Sequence, residues 1–280
     1  MTGYILAPNK FVTVYGDIKL NYREVGVDSG IPLLLLNHLS GTLDNWDPLL
    51  IDLLSQTQRV IVFDNEGVGL SNGQVPEDIE SMADTTAAFI QALKIEKVNL
   101  LGLSMGGFVA QAFIVKYPQF VQNLILVGTG PKGDKKISRV GNVVIYDFLR
   151  ALMTGHDVKA YLFFTRSDQG KSKAREFLQR LKQRTVIQDK PISLKAYRNQ
   201  LRAIKKYATG TPHDLKSIQK PTLIVNGDSD RMVPTQGSYV LKNTLPNAQL
   251  VIYRDAGHMS LFQEPVKFVE QLNAFNKRLN

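Results

Sequence analysis

A serine set between two glycines, in Gly102-Leu103-Ser104-Met105-Gly106, is the clearest place in this 280-residue chain where residue types and spacing suggest chemistry. A serine hydroxyl is a weak nucleophile until a base takes its proton, so it needs a histidine and an acid to orient that histidine. The bare pattern says little, because Gly and Ser are common. Its setting says more: the apolar run "VNLLGL" (98–103) precedes it and the helical pattern "MGGFVAQAFIVKY" follows. A serine on a sharp strand-to-helix turn exposes its hydroxyl, and the adjoining helix start offers free N–H groups and a positive dipole end to an oxyanion. A Gly-rich helix start that merely packs tightly is the plainer explanation, and the flanking pattern puts it well behind.

His258, in "RDAGHMSLFQEP", stands just after the last apolar run and before the last helical pattern. Loops at the carboxyl ends of strands collect ligands and catalytic groups in open α/β sheets. Taken alone, His258 could equally cap a helix. The loop after "PTLIVNG" (221–227) offers two acids, Asp228 and Asp230, one of which could instead bond its own backbone, as Asp often does in turns. The chain order Ser, Asp, His is the one an α/β sheet with a nucleophile elbow uses. His38, at the mouth of "IPLLLL" (31–36), is a rival base, a metal ligand or loop scaffolding.

These residues need a scaffold, and the hydropathy pattern supplies one. Residues 11–15 and 18–25 alternate apolar and polar around Gly16-Asp17, which predicts an antiparallel hairpin. The runs at 31–36, 59–64, 98–103, 124–128, 221–227 and 249–254 are continuous, as strands covered on both faces are. Helical patterns lie between them at about 47–56, 80–93, 105–117, 235–244 and 264–279. This alternation predicts an α/β fold, a mostly parallel doubly wound sheet with an N-terminal antiparallel hairpin. "YDFLRALM", "AREFLQRLKQR" and "KAYRNQLRAIKKY" predict three or more helices between the strands at 124 and 221. The division expected is a core of 1–130 and 217–280 with an inserted helical cap at 131–216.

Charge supports the division. The chain carries a formal +9, but residues 131–216 alone carry a net +13 and the remainder −4. Solvated helix faces are the plain explanation; an anionic substrate, an acidic lipid surface or nucleic acid are the sharper ones. The basic residues are scattered at helical spacing with no binding motif beside them, which argues against nucleic acid. Without cysteine there is no disulfide, thiolate metal site or cysteine nucleophile. The four histidines form no H-x-x-x-H or H-E-x-x-H pair, and no G-x-G-x-x-G has an acidic partner, so neither metal nor cofactor is expected. His156 and His213 are expected at the surface. No secretory leader is legible in "MTGYILAPNKFVTVYGDIKL", and the apolar runs are too short to span a bilayer. The expectation is a cytoplasmic protein with a small-molecule substrate and no stable membrane insertion.

Over nearly its whole length the chain resembles the α/β-hydrolase fold superfamily, in particular its cap-bearing esterase, C–C hydrolase and cofactor-free haloperoxidase-like branch. The motifs that carry the resemblance are "GLSMGG", "DRMVP", "AGHMSLFQEP", "FDNEGVGLS" and the loop "NHLSGTLDNW". In that superfamily the acid stands four residues before the proline of a D-x-x-[VIL]-P pattern, which implies Asp230 rather than Asp228. The resemblance further implies a triad of Ser104, Asp230 and His258, with the N–H groups of Met105 and Leu39 as oxyanion donors. It implies hydrolysis through an acyl-serine; hydrolytic C–C cleavage of an acidic diketone and a catalytically silent ligand-binding protein are the alternatives. Ser104 argues against the dehalogenase and epoxide hydrolase relatives, whose nucleophile is a carboxylate. Two departures stand out. Glu66 replaces the usual arginine of the "FDxRGxGxS" turn, which puts that loop's packing in question. Asn37-His38 replaces the usual His-Gly pair, so His38 is expected in a demanding backbone conformation beside the oxyanion site. His38, Phe163, Phe164 and Arg166 are candidates for lining the substrate pocket, although the two Phe could simply pack the cap's own interior.

Overall fold

The computed structural model describes residues 3–27 and 30–278. Strands β1 (Lys10–Val14) and β2 (Ile18–Val25) form the antiparallel hairpin, turning through Tyr15 and Gly16 at positive φ. The strands that follow are β3 (Leu33–Leu36), β4 (Val60–Phe63), β5 (Val98–Leu103), β6 (Val121–Val127), β7 (Thr222–Gly227) and β8 (Ala248–Tyr253). All eight make one sheet in the order β1-β2-β4-β3-β5-β6-β7-β8. β2 also pairs antiparallel with β4, and every pairing from β4 to β8 is parallel. This is the mostly parallel α/β sheet with an N-terminal hairpin that the hydropathy pattern predicts.

Continuous apolar runs arise because both faces of the central strands are covered. Leu34, Leu36, Leu100 and Leu124 point into one buried cluster, while their neighbours Leu33, Leu35, Leu101 and Ile125 point into another on the opposite face. Each such side chain contributes roughly 1.5–3 kcal/mol on burial. β6 begins three residues earlier than its apolar run, because Gln122 and Asn123 hide its start. β8 is the edge strand, and most of its residues are only half-buried.

Helices α1 (Pro48–Ser55), α2 (Ile79–Ala92) and α3 (Met105–Lys116) cover the first half of the sheet. Asp47 accepts from Leu49 N–H at 3.0 Å to cap α1, with Pro48 preset for the first turn, and Asp78 caps α2 through Ser81 N–H at 2.7 Å. Between β6 and β7 the chain forms no strand and four α-helices: α4 (Val140–Thr154), α5 (Val158–Phe163), α6 (Asp168–Leu181) and α7 (Leu194–Thr209). The side chains of Asp157, Ser167 and Ser193 cap the last three. After β7 come α8 (Gln236–Thr244), α9 (Ser260–Gln263) and α10 (Pro265–Lys277). The single pattern at 264–279 therefore has a short helix before it, with Pro265 opening the longer one. Its expected end at 279 lies outside the described residues, as do positions 1 and 2 of the stretch read for a leader and the ends of the core range at 1 and 280. Among the described residues no helix is long and apolar enough to cross a membrane.

Candidate active site

Four loops at the carboxyl ends of parallel strands meet in one place: those after β3, β5, β7 and β8. Ser104 directly follows β5 and stands at the N-cap position of α3 with φ 56° and ψ −115°, left-handed space that a non-glycine residue seldom occupies. Its amide donates to Val127 O at 2.8 Å, which fastens the turn to β6. The strain survives because the neighbours permit close approach. A Cβ on Gly106 would lie 2.2 Å from Leu36 O and 2.9 Å from Asn37 O. The start of α3 thus rests directly on the loop after β3, which carries Leu39. As the first residue of α3, Met105 has an amide with no acceptor inside the helix.

His258 Nε2 is 2.8 Å from Ser104 Oγ, and His258 Nδ1 is 2.8 Å from Asp230 Oδ2. A carboxylate accepts, so Nδ1–H donates to Asp230 and leaves Nε2 as acceptor for the serine hydroxyl. The other Asp230 oxygen accepts from Met232 N–H at 2.8 Å and Val233 N–H at 3.0 Å, which fixes the carboxylate. All three side chains are buried. Asp228, the other acid of the loop, is exposed and accepts from Asp255 N–H at 3.2 Å and Ala256 N–H at 3.4 Å. It steadies the segment that presents His258. Gln263 assists by accepting from Gly257 N–H at 3.1 Å.

The loop after β3 is built differently from what the family pattern implies. His38 is absent from the residues at positive φ; the left-handed residue is Ser40, at 60°. Ser40 is held there because its amide donates to Gln200 Oε1, 2.8 Å away on α7, while Gly41 N–H closes a turn on His38 O at 2.9 Å. The strain expected at position 38 therefore falls two residues later. The His38 ring is buried, and its Nδ1–H donates to Leu39 O at 2.8 Å. Its Nε2 has no hydrogen-bond partner, and burial pushes the imidazole pKa down to about 4. Asn37, in place of the family's histidine, accepts from Trp46 Nε1 and donates to Phe63 O at 2.8 Å. That bridge ties the loop to Trp46 beneath it and to the end of β4. Glu66 accepts from Gln74 N–H at 3.1 Å, so the residue that replaces arginine closes its own loop.

The remaining candidates are spread out. Phe163 meets His38 edge-on at 5.3 Å, and its carbonyl accepts from Met259 N–H at 3.1 Å, beside His258. Phe164 turns into the core against Phe177, at 5.4 Å. Arg166 is half-exposed and 3.9 Å from Asp147. His156 is exposed, but His213 is not: its side chain is only 12% exposed, against the ring of Tyr207. Among the described residues no group of three or more His, Asp or Glu could hold a metal ion. Gln200 had no sequence signal as a positioning residue, since its contact with Ser40 spans 160 residues. The same is true of Asp47, whose carboxylate takes both Arg180 Nε and Nη2 at 2.8 and 2.7 Å and clamps α6 to α1.

Comparison with known proteins shows which family the fold belongs to. The chain is similar to "Putative carbamate hydrolase RutD" of Pantoea ananatis, 28% identical over 242 residues and 84% of both chains. It is also similar to 2-hydroxy-6-oxo-2,4-heptadienoate hydrolase of Pseudomonas putida, 27% identical over 266 residues and 93% of both chains. Among solved structures, an alpha/beta hydrolase fold protein from Chitinophaga pinensis superposes with TM-score 0.91 at 37% identity, covering 98% of both chains. The alpha/beta hydrolase fold profile matches residues 31–265, from β3 through the histidine loop, and the chain belongs to that family of hydrolases.

Proposed function

We propose that this protein hydrolyses a small carboxylic ester or related acyl compound through an acyl-enzyme on Ser104, with residues 131–216 acting as a cap over the core. His258 Nε2 takes the hydroxyl proton as Ser104 Oγ attacks the carbonyl carbon. The N–H groups of Leu39 and Met105 stabilise the oxyanion that forms. His258 then gives its proton to the departing alcohol, which leaves the acyl group on Ser104. A water, deprotonated by the same Nε2, attacks the acyl carbon; the acid departs and Ser104 recovers its proton. Throughout, Asp230 holds Nδ1–H and balances the imidazolium charge. The observation that carries this reading is the unbroken chain Ser104–His258–Asp230, with two bonds of 2.8 Å. In this scheme His38 is scaffold: its Nδ1–H is committed to Leu39 O, and at neutral pH it is uncharged.

A second reading, hydrolytic cleavage of a C–C bond in an acidic diketone, is favoured by the net +13 of residues 131–216 and by the similarity to the heptadienoate hydrolase. An acyl-chain series of p-nitrophenyl esters, assayed beside an acidic 2-hydroxy-6-oxo-dienoate, separates the two. The ester reading predicts saturable turnover that falls with longer or charged acyl groups and is lost in Ser104→Ala. Turnover of the dienoate alone would transfer the assignment to C–C cleavage. Inertness of the folded protein toward both classes would contradict an acyl-transfer enzyme and favour a silent binding protein.

A further inference from the structure

Helix α4 turns a large apolar face to water. A helix on the surface of a water-soluble domain ordinarily buries its apolar stripe and shows its charged one. In α4 the residues at 145, 146, 148, 149, 152 and 153 are Ile, Tyr, Phe, Leu, Leu and Met, and all six are exposed, Leu152 to 66% and Met153 to 81%. Their spacing of three and four places them along one face. The opposite face is buried and includes a carboxylate, Asp147, with Val140 and Ala151. Asp147 is held inside by Arg231, at 2.9 Å, the residue next to Asp230, with Arg166 at 3.9 Å. An ion pair to the acid loop thus helps fix the orientation of α4, and its apolar face is left exposed among the described residues. Contiguous exposed apolar surface of this kind marks a site of association.

The charge around the helix identifies the partner. Lys135, Lys136 and Arg139 are exposed in the turn that leads directly into α4. The acids nearest in sequence are already engaged: Asp134 caps Lys136 N–H, and Asp157 caps Lys159 N–H and pairs with its ammonium. Two copies meeting through this face would set one strongly basic segment against another, whereas an anionic surface would neutralise both. At 15 residues α4 is about 22 Å long, too short to cross a bilayer but suited to lying in its interface, with Tyr146 and Phe148 among the headgroups. We propose that the exposed face of α4, with the basic turn before it, docks the protein in the plane of an anionic lipid surface.

Co-sedimentation with vesicles tests this without reference to catalysis. The intact protein should sediment with phosphatidylcholine vesicles containing phosphatidylglycerol, much less with phosphatidylcholine alone, and should be released by salt. Leu152→Ser/Met153→Ser and Lys135→Glu/Lys136→Glu should each weaken that binding by on the order of tenfold while leaving hydrolysis of a water-soluble ester unchanged. Absence of binding to the anionic vesicles would overturn the proposal, as would binding that the serine variant leaves intact. So would a wild-type dimer in light scattering that the serine variant converts to monomer, since the face would then belong to a second copy.

Discussion

Helices α3 and α4 have comparable lengths, 12 and 15 residues, and opposite relations to water. Every residue of α3 from Met105 to Ile114 is buried, its glycines allow backbone to meet backbone, and the strained Ser104 sits at its head. In α4 six large apolar side chains face outward, while a carboxylate faces inward beside Val140 and Ala151. In the first arrangement the surrounding core over-determines the backbone angle of the proposed nucleophile. The second leaves an apolar face exposed among the described residues. The contrast separates residues that hold the proposed reaction geometry from those proposed to serve association.

The largest effect that would break this contrast is chemical. Ser104→Ala or His258→Ala should lower kcat/KM by a factor on the order of 10⁴ or more, with little change in unfolding midpoint. Full activity in either variant would remove the role assigned to the head of α3. Next in size, Phe113→Ala empties a fully buried site in α3 and should cost about 3–5 kcal/mol in urea unfolding. A loss comparable to that of a surface residue would mean that α3 is not over-determined.

The proposed oxyanion loop after β3 offers an intermediate effect, read through pH. The buried His38 imidazole has its pKa pushed down from 6.5 to about 4. Between those values the unfolded chain binds the proton and the folded chain does not, so stability falls as pH drops from 6.5 to about 4. The contribution of His38 is at most about 3 kcal/mol. His38→Asn should flatten that part of the stability–pH curve, and His38→Gly should keep most of the activity. An activity loss as deep as that of Ser104→Ala would make His38 a participant in the reaction. The smallest effect is expected on α4: Leu152→Ser should change folding stability by no more than about 0.5 kcal/mol. A larger destabilisation would mean that its exposed face is needed inside the fold.

How much could be read from the chain follows the same division. The sheet was legible because strands covered on both faces are apolar at every position, as in Leu33 to Leu36 and Val60 to Phe63. Ser104 and His258 were legible because each stands between an apolar run and a helical pattern. The choice of Asp230 over Asp228 needed a family pattern, and the geometry of their hydrogen bonds now separates a histidine partner from a loop fastener. The backbone strain near His38 was misplaced by two residues, because it depends on Gln200, a tertiary contact that no local pattern encodes. The direction in which α4 faces was equally hidden. An amphipathic pattern gives the stripe, while Asp147 and its pairing with Arg231 decide which side turns inward.

The most direct measurement of the central claim is covalent labelling of the native protein by a fluorophosphonate probe, with the modified peptide identified by mass spectrometry. A nucleophile activated by His258 predicts a single adduct on Ser104, lost in Ser104→Ala and strongly slowed in His258→Ala. An unlabelled Ser104 in well-folded protein, or labelling that persists at the same rate without His258, would contradict it.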